Sequence, residues 1–259
     1  MCELLGISAG RAVPAALALA RFARRGGETA DNPDGWGLAW WEGSHLTLRK
    51  APEAAAWSTD FRALAQRIRS ALVIAHVRKA NPPGPHTPEN THPFVRACCG
   101  RRWVFAHNGK VPELLAARGC CHPRHSRPAG QTDSEHAFCY LLEEIHGVSA
   151  AGRPAGFSSG PATGGDGEPW FETLALRSAA IAAYGQFNFL MSDGAYLIAY
   201  GHDRLYRREV RAACSVWIAS APLTEDPDWE AFRPGELHVY RAGRRLARFL
   251  TGPQAAVAG

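Results

Sequence analysis

MCELLGIS, residues 1–8, places a cysteine directly after Met1 and continues as a short, mostly apolar stretch. The initiator methionine is normally removed when the next residue is small, so Cys2 would become the first residue and carry a free α-amino group beside its thiol. A thiol next to an amine of suitable pKa is a nucleophile with its own base. Cys2 could equally be a small buried residue on a first strand. Partners elsewhere in the chain have to decide between these two interpretations.

The composition indicates one large globular domain that covers residues 1–259. Of the 259 residues, 46% are hydrophobic. There is no run of about 18 apolar residues that would span a membrane. The N-terminal stretch lacks the basic segment that precedes the apolar part of a signal peptide. We therefore expect a cytoplasmic protein without membrane contact, and the sequence predicts no cofactor.

Cysteine usage and charge exclude two further classes of protein. Seven cysteines, an odd number with two adjacent pairs, do not form the disulfide framework of a secreted domain. The net charge of +5 comes from arginines spread along the chain, without the basic stripe and interleaved aromatics of a nucleic-acid surface. We expect reduced thiols, no nucleic-acid partner and a small-molecule substrate.

Apolar periodicity predicts four amphipathic helices, at PAALALARFARR, TDFRALAQRIRS, TDSEHAFCYLLEEIH and PWFETLALRSAAIAAYG. Thr59 or Asp60 would cap the second helix. Thr132 and Glu135 fit a capping box at the start of the third helix.

Strand patterns lie between and after these helices, and they include a hairpin that turns at residues 42–44 and another on Asp193-Gly194. Hairpin-rich strands with grouped helices favour antiparallel sheets covered by helices, an α+β fold, over a doubly wound parallel sheet. Residues 150–169 are rich in Gly, Ser and Pro and indicate a flexible loop inside a single domain.

Polar clusters follow several predicted strands, where functional sites are commonly built. They are DNPDGWG (31–37), AHVRKAN (75–81), ENTHPF (89–94), FAHNGKV (105–111) and GQTDSE (130–135). With MCELLGISA, FNFLMSDG and the APLT stretch, this ordered set resembles the class II glutamine amidotransferases, which are N-terminal-nucleophile hydrolases. Within them it is most similar to the stand-alone bacterial branch of YafJ type. The resemblance covers most of the chain.

The resemblance implies a four-layer αββα sandwich of two antiparallel sheets, with the nucleophile at the end of the first strand. It also implies a division of roles. Cys2 would be the nucleophile, with its α-amine as base and acid, and the Asn108 side chain and Gly109 N–H would form the oxyanion hole. Arg78 would hold the α-carboxylate of the substrate, and Asp133 would hold its α-ammonium group.

Each of these residues also has an ordinary structural interpretation when taken alone. Arg78 could form a salt bridge at a strand end, Asn108-Gly109 could be a plain turn, and Asp133 could favour a helix start. Their joint occurrence with Cys2 favours the functional interpretation. Asn81 could contact the substrate or simply turn the chain.

Other residues of the motifs are expected to support the site. Asp34, Gly35, Trp36 and Gly37 would shape the pocket floor, and residues 90–94 would form a supporting shell. His92 and His107 would be structural, since the resemblance gives them no proton-transfer role.

A zinc site is the rival interpretation from another class of function. Adjacent cysteines on a strand point to opposite faces, and the usual spacing of zinc ligands is absent, which disfavours it. The zinc ligands would come from Cys98, Cys99, Cys120, Cys121, His122 and His125.

A catalytically inactive regulatory subunit is a further alternative, against which the intact residue set argues.

The resemblance leaves two reactions open, because no synthase domain that would receive ammonia follows in the sequence. The chain could be a free-standing glutaminase or γ-glutamyl amide hydrolase, acting through a γ-glutamyl thioester and releasing ammonia or an amine. It could instead be a glutaminase subunit that passes ammonia to a separate synthase chain. The stand-alone branch includes relatives that act on γ-glutamyl peptides, so hydrolysis is preferred.

Overall fold

The computed structural model describes residues 1–80, 90–112, 114, 126–151 and 168–252. Asn81, four of the six proposed zinc ligands (Cys120, Cys121, His122 and His125) and most of the expected loop at 150–169 lie outside these described residues.

The first sheet has seven antiparallel strands in the order β11-β9-β10-β1-β4-β2-β3. The first strand of the chain lies in its centre, between β4 and β10. The pattern at 36–51 forms the expected hairpin, with its turn at Gly43-Ser44. The strand bounds are β1 (Glu3–Pro14), β2 (Trp36–Glu42), β3 (His45–Ala51), β4 (Arg69–Val77), β9 (Tyr206–Val210), β10 (Ser215–Ala219) and β11 (Glu230–Ala231).

The second sheet has six antiparallel strands in the order β13-β12-β8-β7-β6-β5. The hairpin predicted on Asp193-Gly194 joins β7 to β8, as expected. The strand bounds are β5 (Phe94–Cys98), β6 (Arg101–Lys110), β7 (Gln186–Ser192), β8 (Leu197–Gly201), β12 (Glu236–Arg241) and β13 (Arg244–Leu250).

All four predicted helices are present, as α1 (Ala16–Arg24), α2 (Thr59–Arg67), α3 (Asp133–Ala151) and α4 (Trp170–Ala182). The cap predicted for α2 is wrong by one residue, because Ser58 accepts the hydrogen bond from the Phe61 amide. Half of the capping box predicted for α3 is present, because Glu135 N donates to the Thr132 hydroxyl oxygen. The Glu135 carboxylate accepts instead from Ala129 N and Gly130 N, so the reciprocal bond to Thr132 N is not formed. None of the helices among the described residues is long and apolar enough to cross a membrane.

Three apolar clusters separate the two helix layers and the two sheets, which makes four layers. Alternation along each strand sends successive side chains into different clusters. On β1, for example, Leu5 packs towards α1 and α2, whereas Leu4 packs between the sheets. On β6, Phe105 packs towards α3 and α4, and Ala106 faces the other sheet. The predicted α+β fold, an αββα sandwich of two antiparallel sheets, is confirmed.

Candidate active site

The layer between the sheets is apolar over most of its length and becomes polar at one end. Cys2, His76, Asn108 and Ser220 continue the alternating rows that begin with apolar residues on β1, β4, β6 and β10. These apolar residues are Leu4, Leu72, Ile74, Val104, Ala106, Val216 and Ile218. Pairing of Glu3 with Val77 and of Leu5 with Ala219 places one end of each of β1, β4 and β10 at the same end of their sheet. The start of the chain and a set of buried polar side chains therefore lie together at these strand ends.

The Cys2 sulfur lies against the backbone of Lys79, just after β4. It accepts a hydrogen bond from the Lys79 amide over 3.3 Å and lies 3.5 Å from the Lys79 carbonyl oxygen. Burial raises the pKa of this thiol, although the Lys79 amide, the positive amino terminus and Arg78 act in the opposite direction. The net direction is upward, so Cys2 is a protonated thiol at neutral pH, and any role as a nucleophile would need a base to remove its proton.

The segment that carries Arg78 is held by the Asp34-Gly35 turn. Arg78 N donates to the Gly35 carbonyl over 2.8 Å, and Asp34 N donates to the Arg78 carbonyl over 3.1 Å. The Asp34 carboxylate accepts from Ala80 N over 2.8 Å. Gly35 has φ of +147°, a conformation that favours glycine. These bonds fix the backbone of Arg78 and thereby the position of Lys79, whose amide contacts the Cys2 sulfur.

Asn108 is completely buried, and Ser220 links it to the first strand. The Ser220 hydroxyl oxygen accepts from Leu4 N over 2.9 Å and from Asn108 Nδ2 over 3.0 Å. Ser220 N in turn donates to the Leu4 carbonyl. The Asn108 Oδ1 atom has no hydrogen-bond partner among the described residues. The two sheets are thus joined by a polar bridge two residues from Cys2.

Gly109 follows at the end of β6, where β7 approaches closely. Its φ is +143°, and a Cβ atom added here would lie 1.9 Å from the Gln186 carbonyl oxygen. A side chain at this position would push the two strands apart. Glycine is therefore required by packing, independently of any role for its N–H group.

The Asp133 carboxylate connects the start of α3 to the end of β6. Its Oδ2 accepts from Val111 N over 2.7 Å, and its Oδ1 accepts from Ser134 N over 2.8 Å. Both oxygens are therefore oriented by backbone amides. This geometry is compatible with both interpretations of Asp133 from the sequence, as a residue that favours a helix start and as a residue that binds the substrate.

Three buried histidines lie beside these residues. The ring centroids of His76 and His92 are 4.4 Å apart, and those of His92 and His107 are 6.4 Å apart. Burial, with the positive charges of Arg78 and Lys50 and the neighbouring His107, lowers the pKa of His76 to about 3. Burial also lowers the pKa of His92 and His107.

The contacts of His107 define its tautomer. Its Nε2 lies 3.1 Å from the Gln186 carbonyl, which can only accept, so Nε2 carries the proton. Its Nδ1 then accepts from the Ser134 hydroxyl over 2.8 Å. A neutral ring with both nitrogens engaged agrees with the structural role expected for His107.

Sequence reasoning missed three residues that organise the site. Glu3, buried beside Cys2, forms a bidentate ion pair with Arg25 just after α1, at 2.6 and 2.7 Å. Asn188 donates to the Asn108 carbonyl over 3.2 Å. Ser220 forms the bridge described above. Period-two continuation of the inter-sheet rows could have revealed Asn188 and Ser220, whereas nothing in the local pattern indicates the partner of Glu3.

The predicted residues thus fall into two groups at one end of the sandwich. Cys2 and Arg78 lie at the ends of the central strands β1 and β4 of the seven-stranded sheet. Asn108, Gly109 and Asp133 surround the end of β6. The bridge from Leu4 through Ser220 to Asn108 joins the groups. Asn81 remains a prediction, outside the described residues.

Sequence comparisons point in one direction. The model of a family described as glutamine amidotransferases class-II matches residues 1–214. The proposed glutamine amidotransferase YafJ of Escherichia coli (strain K12) is 32% identical over 271 residues, which cover 95% of this chain and 100% of that protein. The gamma-glutamyl-hercynylcysteine sulfoxide hydrolase of Mycobacterium tuberculosis (strain ATCC 25618 / H37Rv) is 26% identical over 200 residues, which cover 76% of this chain and 71% of that protein.

Solved structures share the fold. The crystal structure of a predicted glutamine amidotransferase from Pseudomonas aeruginosa PA01 has a TM-score of 0.65 and 29% identity, and the match covers 95% of this chain and 100% of that one. The glutamine phosphoribosylpyrophosphate amidotransferase of B. subtilis has a TM-score of 0.64 and 17% identity, over 95% of this chain and 49% of that chain. At that identity the second likeness concerns the fold alone.

Proposed function

The chain belongs to the class II glutamine amidotransferases, and from this premise we propose that it hydrolyses the γ-amide of glutamine or of a γ-glutamyl compound. Cys2 is the nucleophile in this proposal. The observation that carries it is the convergence of Cys2, Arg78 and the buried Asn108 at one end of the inter-sheet layer. Ser220 connects Asn108 to the backbone of Leu4, two residues after Cys2.

The first half of the reaction forms a thioester. Once Met1 is removed, the α-amine of Cys2, with a reference pKa near 8, accepts the thiol proton while the sulfur attacks the γ-carbonyl carbon. The same amine returns the proton to the departing nitrogen, so that ammonia or an amine leaves as the carbon–nitrogen bond breaks. Water then attacks the γ-glutamyl thioester, which releases glutamate and restores the thiol.

The remaining residues bind or stabilise. Asn108 and the Gly109 N–H donate to the oxyanion that forms in both halves of the reaction. Arg78, whose planar guanidinium matches a carboxylate, holds the α-carboxylate, and Asp133 holds the α-ammonium group. A neutral His76 and His107 leave proton transfer to the α-amine, which agrees with their lowered pKa values.

Hydrolysis is favoured over ammonia transfer to a separate synthase by one relative. The M. tuberculosis protein is named as a hydrolase of a γ-glutamyl compound, and it aligns with 76% of this chain. The natural substrate is therefore sought among γ-glutamyl amides as well as glutamine.

The test is a screen of glutamine and γ-glutamyl amides, followed by glutamate release and by detection of the released amine. Wild-type protein should release glutamate, and Cys2→Ala should release none while keeping the wild-type circular dichroism spectrum. Cys214→Ser, which changes an exposed thiol elsewhere, is the matched control and should keep full activity. Turnover by Cys2→Ala would rule out the nucleophile.

The proposed base makes a separate prediction about the mature protein. An amine buried in a Met1–Cys2 peptide bond cannot accept a proton, so active protein must begin at Cys2. Intact mass should show the loss of one methionine. Full activity of a preparation that retains Met1 would contradict the assignment of the α-amine.

A further inference from the structure

Two thiols and an imidazole meet at the turn between β5 and β6, far from the site above. The Cys98 and Cys99 sulfurs are 2.9 Å apart, and the Cys99 sulfur is 3.7 Å from His146 Nδ1. All three ligand atoms lie within 4.8 Å of one another. His146 is on α3, well after Asp133, so the helix rise of 1.5 Å per residue puts the cluster about 20 Å from that end of the helix.

The backbone explains why adjacent cysteines can act together here. β5 ends at Cys98, and Cys99 has φ of +54°, outside the extended region. The alternation that sends neighbouring side chains to opposite faces of a strand therefore does not apply, and this corrects the objection raised from the sequence. Cys98 is buried, Cys99 is exposed, and His146 is half-buried. The cluster is thus fixed on one side and open to solvent on the other.

We propose that Cys98, Cys99 and His146 form a binding site for a soft divalent metal ion of the zinc class. Two thiolates and one imidazole are ligands that zinc prefers, and three protein ligands leave a fourth tetrahedral position open. Binding releases one proton from each thiol, forms two metal–sulfur bonds and one metal–nitrogen bond, and changes no oxidation state. The two thiolate charges balance the charge of the ion.

The geometry needs only a small adjustment to bind the ion. Metal–sulfur bonds of about 2.3 Å in tetrahedral geometry place two sulfurs about 3.7 Å apart, so Cys98 and Cys99 must separate by roughly 0.8 Å. Cys99 is exposed and can make this movement by rotating its side chain. The 3.7 Å from Cys99 to His146 already suits two ligands of one ion.

A metal ion at this position would fasten the edge of the six-stranded sheet to α3. β5 is the last strand of that sheet, paired on one side with β6. An ion that binds the folded hairpin and helix together stabilises the folded state by mass action. The site is therefore structural, and it leaves the chemistry of Cys2 unchanged.

Cobalt(II) is the probe, because thiolate ligation gives it intense absorption bands that report on its ligands. The titration uses demetallated Cys2→Ala protein, so that the active-site thiol does not compete. One equivalent should bind with thiolate-to-metal charge-transfer bands. Adding Cys99→Ser or His146→Gln should weaken binding by roughly 100-fold or more, since even loss of a supporting contact to a metal ligand costs 10- to 100-fold. Cys214→Ser in the same background is the matched control and should bind like the parent.

A thermal arm uses the same Cys2→Ala background. Zinc should raise the Tm of this protein and leave the Tm of Cys2→Ala/Cys99→Ser unchanged. Cobalt affinity that survives both Cys99→Ser and His146→Gln would overturn the proposal. Loss of the bands only in a Cys120→Ser/Cys121→Ser variant would also overturn it. The proposal would also be overturned if the protein bound no cobalt and instead formed an intramolecular Cys98–Cys99 disulfide when treated with oxidised glutathione.

Discussion

The Asn108 amide can occupy its buried position in two orientations of equal shape. In one, Nδ2 donates to Ser220 and Oδ1 is without a partner among the described residues. In the other, the Ser220 hydroxyl, which already accepts from Leu4 N, donates its own proton to Oδ1. The second orientation turns both amide N–H groups towards the position that Oδ1 leaves. A buried donor there, without an acceptor in the part of the chain that the structure describes, suits an oxyanion that appears only during reaction.

This orientation predicts graded losses of kcat. Asn108→Ala should lower kcat for glutamate release by roughly 100-fold or more, with a smaller change in KM. Ser220→Ala removes one orienting hydrogen bond, typically worth about 0.5–1.5 kcal/mol, and should lower kcat by up to roughly tenfold. Ser8→Ala changes a buried serine in the middle of β1, away from Cys2, and is the control that should leave kcat unchanged. An effect of Ser220→Ala on KM alone would argue against an orienting role.

Substitution of Arg78 is expected to change KM and not kcat, because the α-carboxylate that Arg78 would hold does not change during reaction. Arg78→Lys should raise KM for glutamine and change kcat little, since lysine lacks the bidentate fork. Arg11→Lys, an exposed arginine at the other end of β1, should behave like wild type. A loss of kcat with KM unchanged would mean that Arg78 has a different role. Asp133→Asn should raise KM as well, but it also weakens the bond from Val111 N and is a less clean test.

The residues of the proposed site could be predicted because they sit in short ordered motifs, but their contacts could not. The spacing of Asn108 and Ser220 along the chain says nothing about the bond between their side chains. The same holds for Glu3 and Arg25, which meet because β1 and α1 pack together. Ser58, Thr59 and Asp60 are all good helix caps, and only the path of the backbone selects Ser58.

At the scale of single elements, the start of β1 is held in place by α1. Glu3 is 2% exposed and is paired bidentately with Arg25, which lies directly after the helix, and Arg204 lies 3.9 Å away. A buried carboxylate next to Cys2 is stable only while this pair persists. The position of Cys2 therefore depends on an ion pair between the start of β1 and the residue after α1.

Removing this charge should destabilise the protein. Glu3→Gln should lower the free energy of unfolding by about 2–4 kcal/mol, at or just below the usual range for breaking a buried pair because Arg25 is partly exposed. Glu28→Gln is the matched control, since it breaks an exposed pair with Arg24 and should cost less than about 0.5 kcal/mol. Chemical denaturation of both variants measures the difference. Equal effects would show that burial of Glu3 does not matter.

At the scale of the whole molecule, the inter-sheet layer combines an apolar interior with buried neutral histidines at its polar end. His76 is fully buried, and neither ring nitrogen has a hydrogen-bond partner among the described residues. Burial disfavours its protonated form, and His107, Arg78 and Lys50 add to this effect, so its pKa is lowered to about 3. The two-sheet packing that creates the candidate site therefore also makes the fold sensitive to acid.

Acid should destabilise the fold well before the carboxylates titrate. The unfolded chain binds a proton at His76 with a pKa of 6.5 and the folded chain only near 3, so protons favour unfolding between these values. The stabilisation is complete above pH 6.5 and is lost as the pH falls towards 3. At pH 5 the cost from His76 alone is about 2 kcal/mol, and His92 and His107 act in the same direction. Chemical denaturation at pH 7, 6 and 5 should show this fall, and a constant free energy of unfolding would contradict it. His45→Gln, at an exposed position, should leave the pH dependence unaltered.

The central place of β1 has a consequence for synthesis on the ribosome. β1, which directly follows Cys2, is translated before the other strands of the two sheets, yet its contact through Leu4 and Ser220 joins residues 216 positions apart. Its neighbour β10 thus emerges only when most of the polypeptide has been made. During that interval we expect the N-terminus to be accessible to a methionine aminopeptidase, while the proposed site is not yet assembled. Trimming can therefore precede assembly, and an N-terminal fusion would block both the trimming and the proposed base.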